Sequence, residues 1–102
     1  MNAREGLLEV AKRLQELGED GYACVCRNAA KATMASVVYD VAREVVQAFA
    51  VAQRVAYNNG VHSLALQVAV VRAFAEEVAA AAFLEARGEE RAKSLPLHVE
   101  EP

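Results

Sequence analysis

Glycine and proline are so sparse in this chain that long helices are almost its only option. Neither residue occurs between Tyr22 and Asn59, nor between Val61 and Arg87. Alanine, leucine, arginine, glutamate and glutamine fill much of these stretches, and all are good helix formers. The many valines lower local propensity, so tertiary packing must hold those stretches helical. The sequence predicts an all-α fold: a long antiparallel helical hairpin, a short N-terminal helix packed on it, and an extended C-terminal arm.

The first helix is predicted over 3–17. Asn2 stands at its N-cap and Glu5 falls in the capping-box position. Gly18 supplies the C′ stop. Leu7, Val10, Ala11, Leu14 and Leu17 form one apolar stripe at helical spacing. Glu19-Asp20-Gly21 reads as a polar turn. A second helix is predicted over 22–57, about 54 Å long if continuous, with a kink near Thr33–Ser36, where hydroxyl side chains can bond back to the helix. From Met34 onward its apolar residues follow alternating steps of three and four: Met34, Val38, Val41, Val45, Ala48, Ala52 and Val55. This is a coiled-coil-like seam. Asn58-Asn59-Gly60 breaks the chain, since all three residues tolerate positive φ. A third helix is predicted over 63–87, with Gly88 as its C′ residue. Pro96 cannot continue a helix. The single helical domain thus covers 1–93 and the arm 94–102. In the arm, Leu95, Leu97 and Val99 alternate with Pro96 and His98, a pattern suited to an extended segment docking in a groove.

Apolar residues make up 55% of the 102 residues. That excludes disorder. It also exceeds what two long helices can hide with one face each, and a helix that is apolar nearly all round is buried on most sides. The expectation is a homo-oligomer with copies of itself as partners. Val38, Val41, Val45, Phe49, Val55, Leu66, Val70, Phe74, Val78 and Phe83 are the candidate self-association residues. Leu95, Leu97 and Val99 are the candidates for arm docking.

The formal net charge of −3 argues against nucleic-acid binding by bulk charge. Its distribution is uneven. Residues 1–21 and 76–102 are net acidic. Residues 22–75 carry Arg27, Lys31, Arg43, Arg54 and Arg72 against Asp40 and Glu44. In a repeating assembly these five basic residues are candidate contacts to a nucleic-acid backbone. The alternative favoured by the sequence is that basic middles meet the acidic ends of neighbouring copies and fix register.

Catalytic chemistry is not indicated. Cys24 and Cys26 lie two apart, so on a helix they point about 200° from each other. They read as small buried residues, with an inter-chain disulfide or a metal or redox role as alternatives. No glutamate has a histidine three positions on, as helical di-iron sites require. His62 reads as a surface or hydrogen-bonded residue. Arg91 and His98 resemble the Arg-x4–6-His spacing of HEPN-type helical ribonucleases. Ala92 and Pro96 depart from that pattern, and no catalytic role is carried over. No cofactor, metal or small-molecule substrate is expected.

The start of the chain is evenly charged and does not read as a secretory signal. Gln67, Arg72, Glu76 and Glu77 interrupt the one stretch long enough to span a membrane. The localisation expected is cytoplasmic, or within a virion-like particle for a coat subunit. Arginine-rich, isoleucine-free composition fits a GC-rich genome and is compatible with a thermophilic source. The function expected from sequence is therefore a non-enzymatic, self-assembling structural subunit, with a coat or nucleoprotein subunit as its sharper form. The runner-up is a small helical adaptor or regulatory subunit that binds another protein through its apolar face.

Overall fold

The structure is a computed structural model, and it describes residues 2–94, with side chains through residue 92. Four helices follow in order: α1 (Ala3–Glu16), α2 (Asp20–Ala30), α3 (Ala35–Asn58) and α4 (His62–Ser94). They make an up-down-up-down bundle. Ala3 meets Glu85 and Arg13 meets Phe74, so α1 runs antiparallel to α4. Tyr22 meets Phe49 while Arg4 meets Ala32, so α2 returns along α1 and α3. The apolar stripe of α1, with Leu7, Val10, Ala11 and Leu14 fully buried, faces Ala23, Cys26 and Ala29 of α2 and the inner faces of α3 and α4 in one core.

Local sequence explains most helix ends. Asn2 Oδ1 accepts from the Glu5 backbone N–H at 2.8 Å, the expected N-cap of α1. Glycine closes α1 and α3 in the same way. Gly18 (φ 82°) and Gly60 (φ 76°) take the left-handed conformation. Glu19 N–H then donates to Leu14 C=O at 2.9 Å, and Val61 N–H to Ala56 C=O at 2.9 Å. Both are Schellman turns, in which C″ bonds back to C3.

Three expectations are corrected. The predicted 22–57 helix is two helices, because the chain breaks and reverses over 31–34. Folding back lets Ala23, Cys26 and Ala29 cover α1, which a straight rod would leave bare. The 19–21 turn is shorter than expected, since α2 already begins at Asp20. Gly88 does not stop the last helix, which runs on to Ser94.

Two of these departures, at 31–34 and at Gly88, are connected. The break over 31–34 exposes backbone groups that the local sequence cannot satisfy, and Met34 offers no side-chain cap to α3. Arg4 donates from Nε (3.0 Å) and Nη2 (2.6 Å) to Ala32 C=O. The Ala35 N–H, first in α3, donates to Glu89 Oε1 at 3.0 Å. Likewise the first N–H of α1, on Ala3, donates to Glu85 Oε2 at 2.9 Å. Glu85 and Glu89 lie one turn apart on α4, so its C-terminal end supplies carboxylates to two helix N-termini, where the dipole favours negative charge. Continuation of α4 through Gly88 places the second of them. Replacing Glu89 with alanine is expected to cost about 0.5–2 kcal/mol, the scale of a lost N-cap. Urea denaturation followed by circular dichroism measures it; an unchanged midpoint would contradict the capping role.

Candidate functional site

The molecule is elongated, 67 × 21 × 18 Å, because the α3–α4 hairpin outruns the other two helices. Tyr22, at the start of α2, packs edge-on against Phe49 (ring centroids 5.9 Å apart). Leu17, at the end of α1, shares a niche with Gln67, Val70 and Val71. Beyond Phe49 and Val70 the hairpin continues alone to Gly60, about 14 Å of bare two-helix layer. This tip is the candidate site.

Heptad spacing shows which face is bare. Val41 and Ala48 pack against the core, and Val55 is the next position in that seven-residue series. On α4 the series is Leu64, Val71, Val78, of which Val71 and Val78 are buried. Val55 is 53% exposed and Leu64 41%. The face that α1 and α2 cover in the body therefore continues uncovered into the tip. Val51, Val61 and Val70 are exposed around it.

The opposite face of the tip forms a groove of about 640 Å³ between α3 and α4. Ala50, Ala65 and Ala69 line it, with Arg54, Tyr57, His62 and Arg72 around them. His62 stacks on Tyr57 (centroids 5.1 Å apart, planes 25° apart). Arg72 Nη1 donates to Gln53 Oε1 at 3.2 Å. Its Nε lies 3.2 Å from Glu76 Oε1 in an ion pair without hydrogen-bond alignment. No carboxylate lines the groove. From 45 to 75 the chain has Arg54 and Arg72 and no acidic residue at all.

The predicted self-association residues divide. Val38, Val45, Phe49 and Val78 are buried in the chain's own core. Val41 and Phe74 pack against that core, and Arg13 lays its guanidinium over Phe74, 4.3 Å from the ring centroid. The chain's own packing uses these six: α3 and α4 bury them against each other and α1, with Tyr22 of α2 added against Phe49. Val55, Leu66, Val70 and Phe83 remain exposed; Phe83 is flanked by Tyr39 and Arg87.

The five basic residues do not share one stripe. Arg54 and Arg72 line the tip groove, and Arg43 lines its continuation towards Phe83, where Glu76 also sits. Arg27 is on α2, bonded to Gln15 of α1, and Lys31 lies in the 31–34 break. Arg91 is on exposed α4. The arm residues Leu95, Leu97 and Val99, with His98, lie outside the described residues.

The two cysteines also separate. Cys26 is buried, and burial pushes its thiol pKa up to about 11. Cys24, expected to be buried, is exposed, because its direction on α2 points away from α1. At pH 8 a maleimide is expected to label one thiol per folded chain, and none after Cys24→Ser; two labels on the folded parent would contradict the burial of Cys26. Among the described residues no three His, Cys, Asp or Glu side chains come together as a metal site, and no helix is long and apolar enough to cross a membrane. Comparison with protein-family models, curated proteins and solved structures found no match.

Proposed function

We propose that this chain is a non-enzymatic, self-assembling structural subunit whose copies pair through the α3–α4 tip. The observation that carries the reading is the abrupt end of α1 and α2 at Leu17 and Tyr22, which leaves the Val55–Leu64 face uncovered. A second tip laid across the first would restore the four-helix layering of the body. The face carries no charge, so pairing it desolvates no ion. The contact would be isologous, the same patch on both copies.

Protein contact is favoured over nucleic-acid contact for this assembly. A nucleoprotein track needs basic residues in a continuous row. Here Arg27 and Lys31 are apart from the other three, and Arg72 is paired with Glu76, which lines the neighbouring niche with Arg43.

Size bounds the strength. The tip face is about 14 Å long and about two helix diameters wide, a footprint of about 300 Å². Standard interfaces take about 800 Å² from each partner. Tip pairing alone is therefore weak and concentration-dependent. Sedimentation velocity across a micromolar concentration series tests the proposal. Reversible growth beyond the 11.0 kDa chain is expected. A monomer at every concentration would overturn self-assembly and leave the same face to a different protein, as an adaptor.

A further inference from the structure

The weakness of tip pairing calls for a second contact, and the groove on the other side of the tip fits one segment of this same sequence. We propose that the tip groove receives the 95–101 segment of another copy. The inference rests on the self-assembly reading and names the contact that extends it.

Two complementarities support it. No carboxylate lines the groove: Arg54, His62 and Arg72, the last paired with Glu76 just outside it, surround an apolar floor of Ala65 and Ala69. Residues 95–101 read Leu-Pro-Leu-His-Val-Glu-Glu, three apolar side chains at alternate positions followed by two carboxylates. Laid along the groove, Leu97 and Val99 match the alanine floor, where small side chains let a backbone approach closely. Glu100 and Glu101 match Arg54, which makes no ion pair among the described residues. Electrostatic fit of this kind fixes register and excludes wrong partners.

Reach decides which copy supplies the segment. Ala69 lies 25 residues before Ser94 on α4, about 37 Å back along a helix. Glu101, seven residues past Ser94, extends at most about 25 Å. The chain cannot fill its own groove. A segment that leaves one copy at the end of α4 and enters the next copy at its tip makes a head-to-tail contact, the kind that builds rings or filaments. Tip pairing and arm exchange then use opposite faces of the same hairpin end without competing.

The test uses the full chain and a labelled peptide of residues 94–102. Fluorescence anisotropy is expected to show saturable peptide binding, weakened about tenfold or more by Arg54→Glu. In sedimentation, Arg54→Glu alone and Glu100→Arg/Glu101→Arg alone should each reduce assemblies to pairs. Combined in one chain, the swapped charges should restore the larger species, which rules out a folding defect as the cause. Assemblies that form but ignore all three variants, with no peptide binding, would overturn arm exchange and leave tip pairing standing. A DNA oligonucleotide that binds in place of the peptide, with steep salt dependence lost in Arg54→Glu, would also overturn it and assign the groove to nucleic acid.

Discussion

Replacing Leu14 with alanine is expected to destabilise the folded chain by about 2–5 kcal/mol, the range for truncating a fully buried leucine. Leu14 has no exposed surface. It closes the α1 stripe, and its carbonyl accepts the N–H groups of Leu17 and Glu19 at the Schellman turn. Deleting its isopropyl tip leaves a cavity among helices whose ends are pinned, by Asn2 and Glu85 at one end of α1 and by the turn at the other. Little collapse can fill such a cavity, which favours the upper part of the range. A domain of this size holds about 5–15 kcal/mol in total, and each kcal/mol shifts the melting point by about 4–8 °C. The variant should therefore melt at least about 10 °C lower. Leu8, on the same helix, is half exposed, and Leu8→Ala should stay within about 0.5 kcal/mol of the parent. Equal melting points for the two variants would mean that α1 does not pack as described.

The same residues show why parts of this fold can be read from sequence and parts cannot. Asn2, Gly18 and Gly60 act within a few positions of themselves, so local chemistry announces the ends they make. The reversal over 31–34 has a weaker signal: the hydroxyls of Thr33 and Ser36 predict a kink there, not a reversal. It contains no glycine or proline, and the groups that satisfy it come from Arg4 and Glu89, 28 and 54 residues away. Gly88 misleads for the complementary reason. A glycine in a helix costs about 1 kcal/mol, and the contact of Glu89 with the N-terminus of α3 offsets it. The apolar surplus was legible as a quantity but not in its placement. Packing of α3 on α4, with α1 and α2 laid over them, uses Val38, Val45, Phe49 and Val78 inside the chain. Part of the uncovered remainder lies at the hairpin tip, where Val55 and Leu64 continue series whose earlier members are covered.

That remainder predicts the second large effect. Val55→Glu with Leu64→Glu is expected to abolish tip pairing while leaving the fold intact. Both side chains face solvent in the single chain, so a carboxylate at either position stays hydrated there and should change its melting point little. In a pair the cost is of another order. Each substitution occurs twice across an isologous contact, placing four carboxylates at an apolar face that offers them no partner. Association should weaken at least ~100-fold, about 2.7 kcal/mol, enough to hold a weak micromolar pair as monomers. Leu84→Glu is the matched control. Leu84 is more exposed than either, at 70%, but lies on α4 some 20 residues from the tip, about 30 Å away along the helix. It removes exposed apolar surface and adds one carboxylate to the tip variant's two, so a general effect of hydrophobicity or net charge would appear in it at about half the size. Loss of pairing in the tip variant but not in the Leu84 variant would place the contact at the tip. Equal sedimentation of parent, tip variant and control would remove the tip from the assembly, because no other face of the hairpin continues the covered heptad series without a cover.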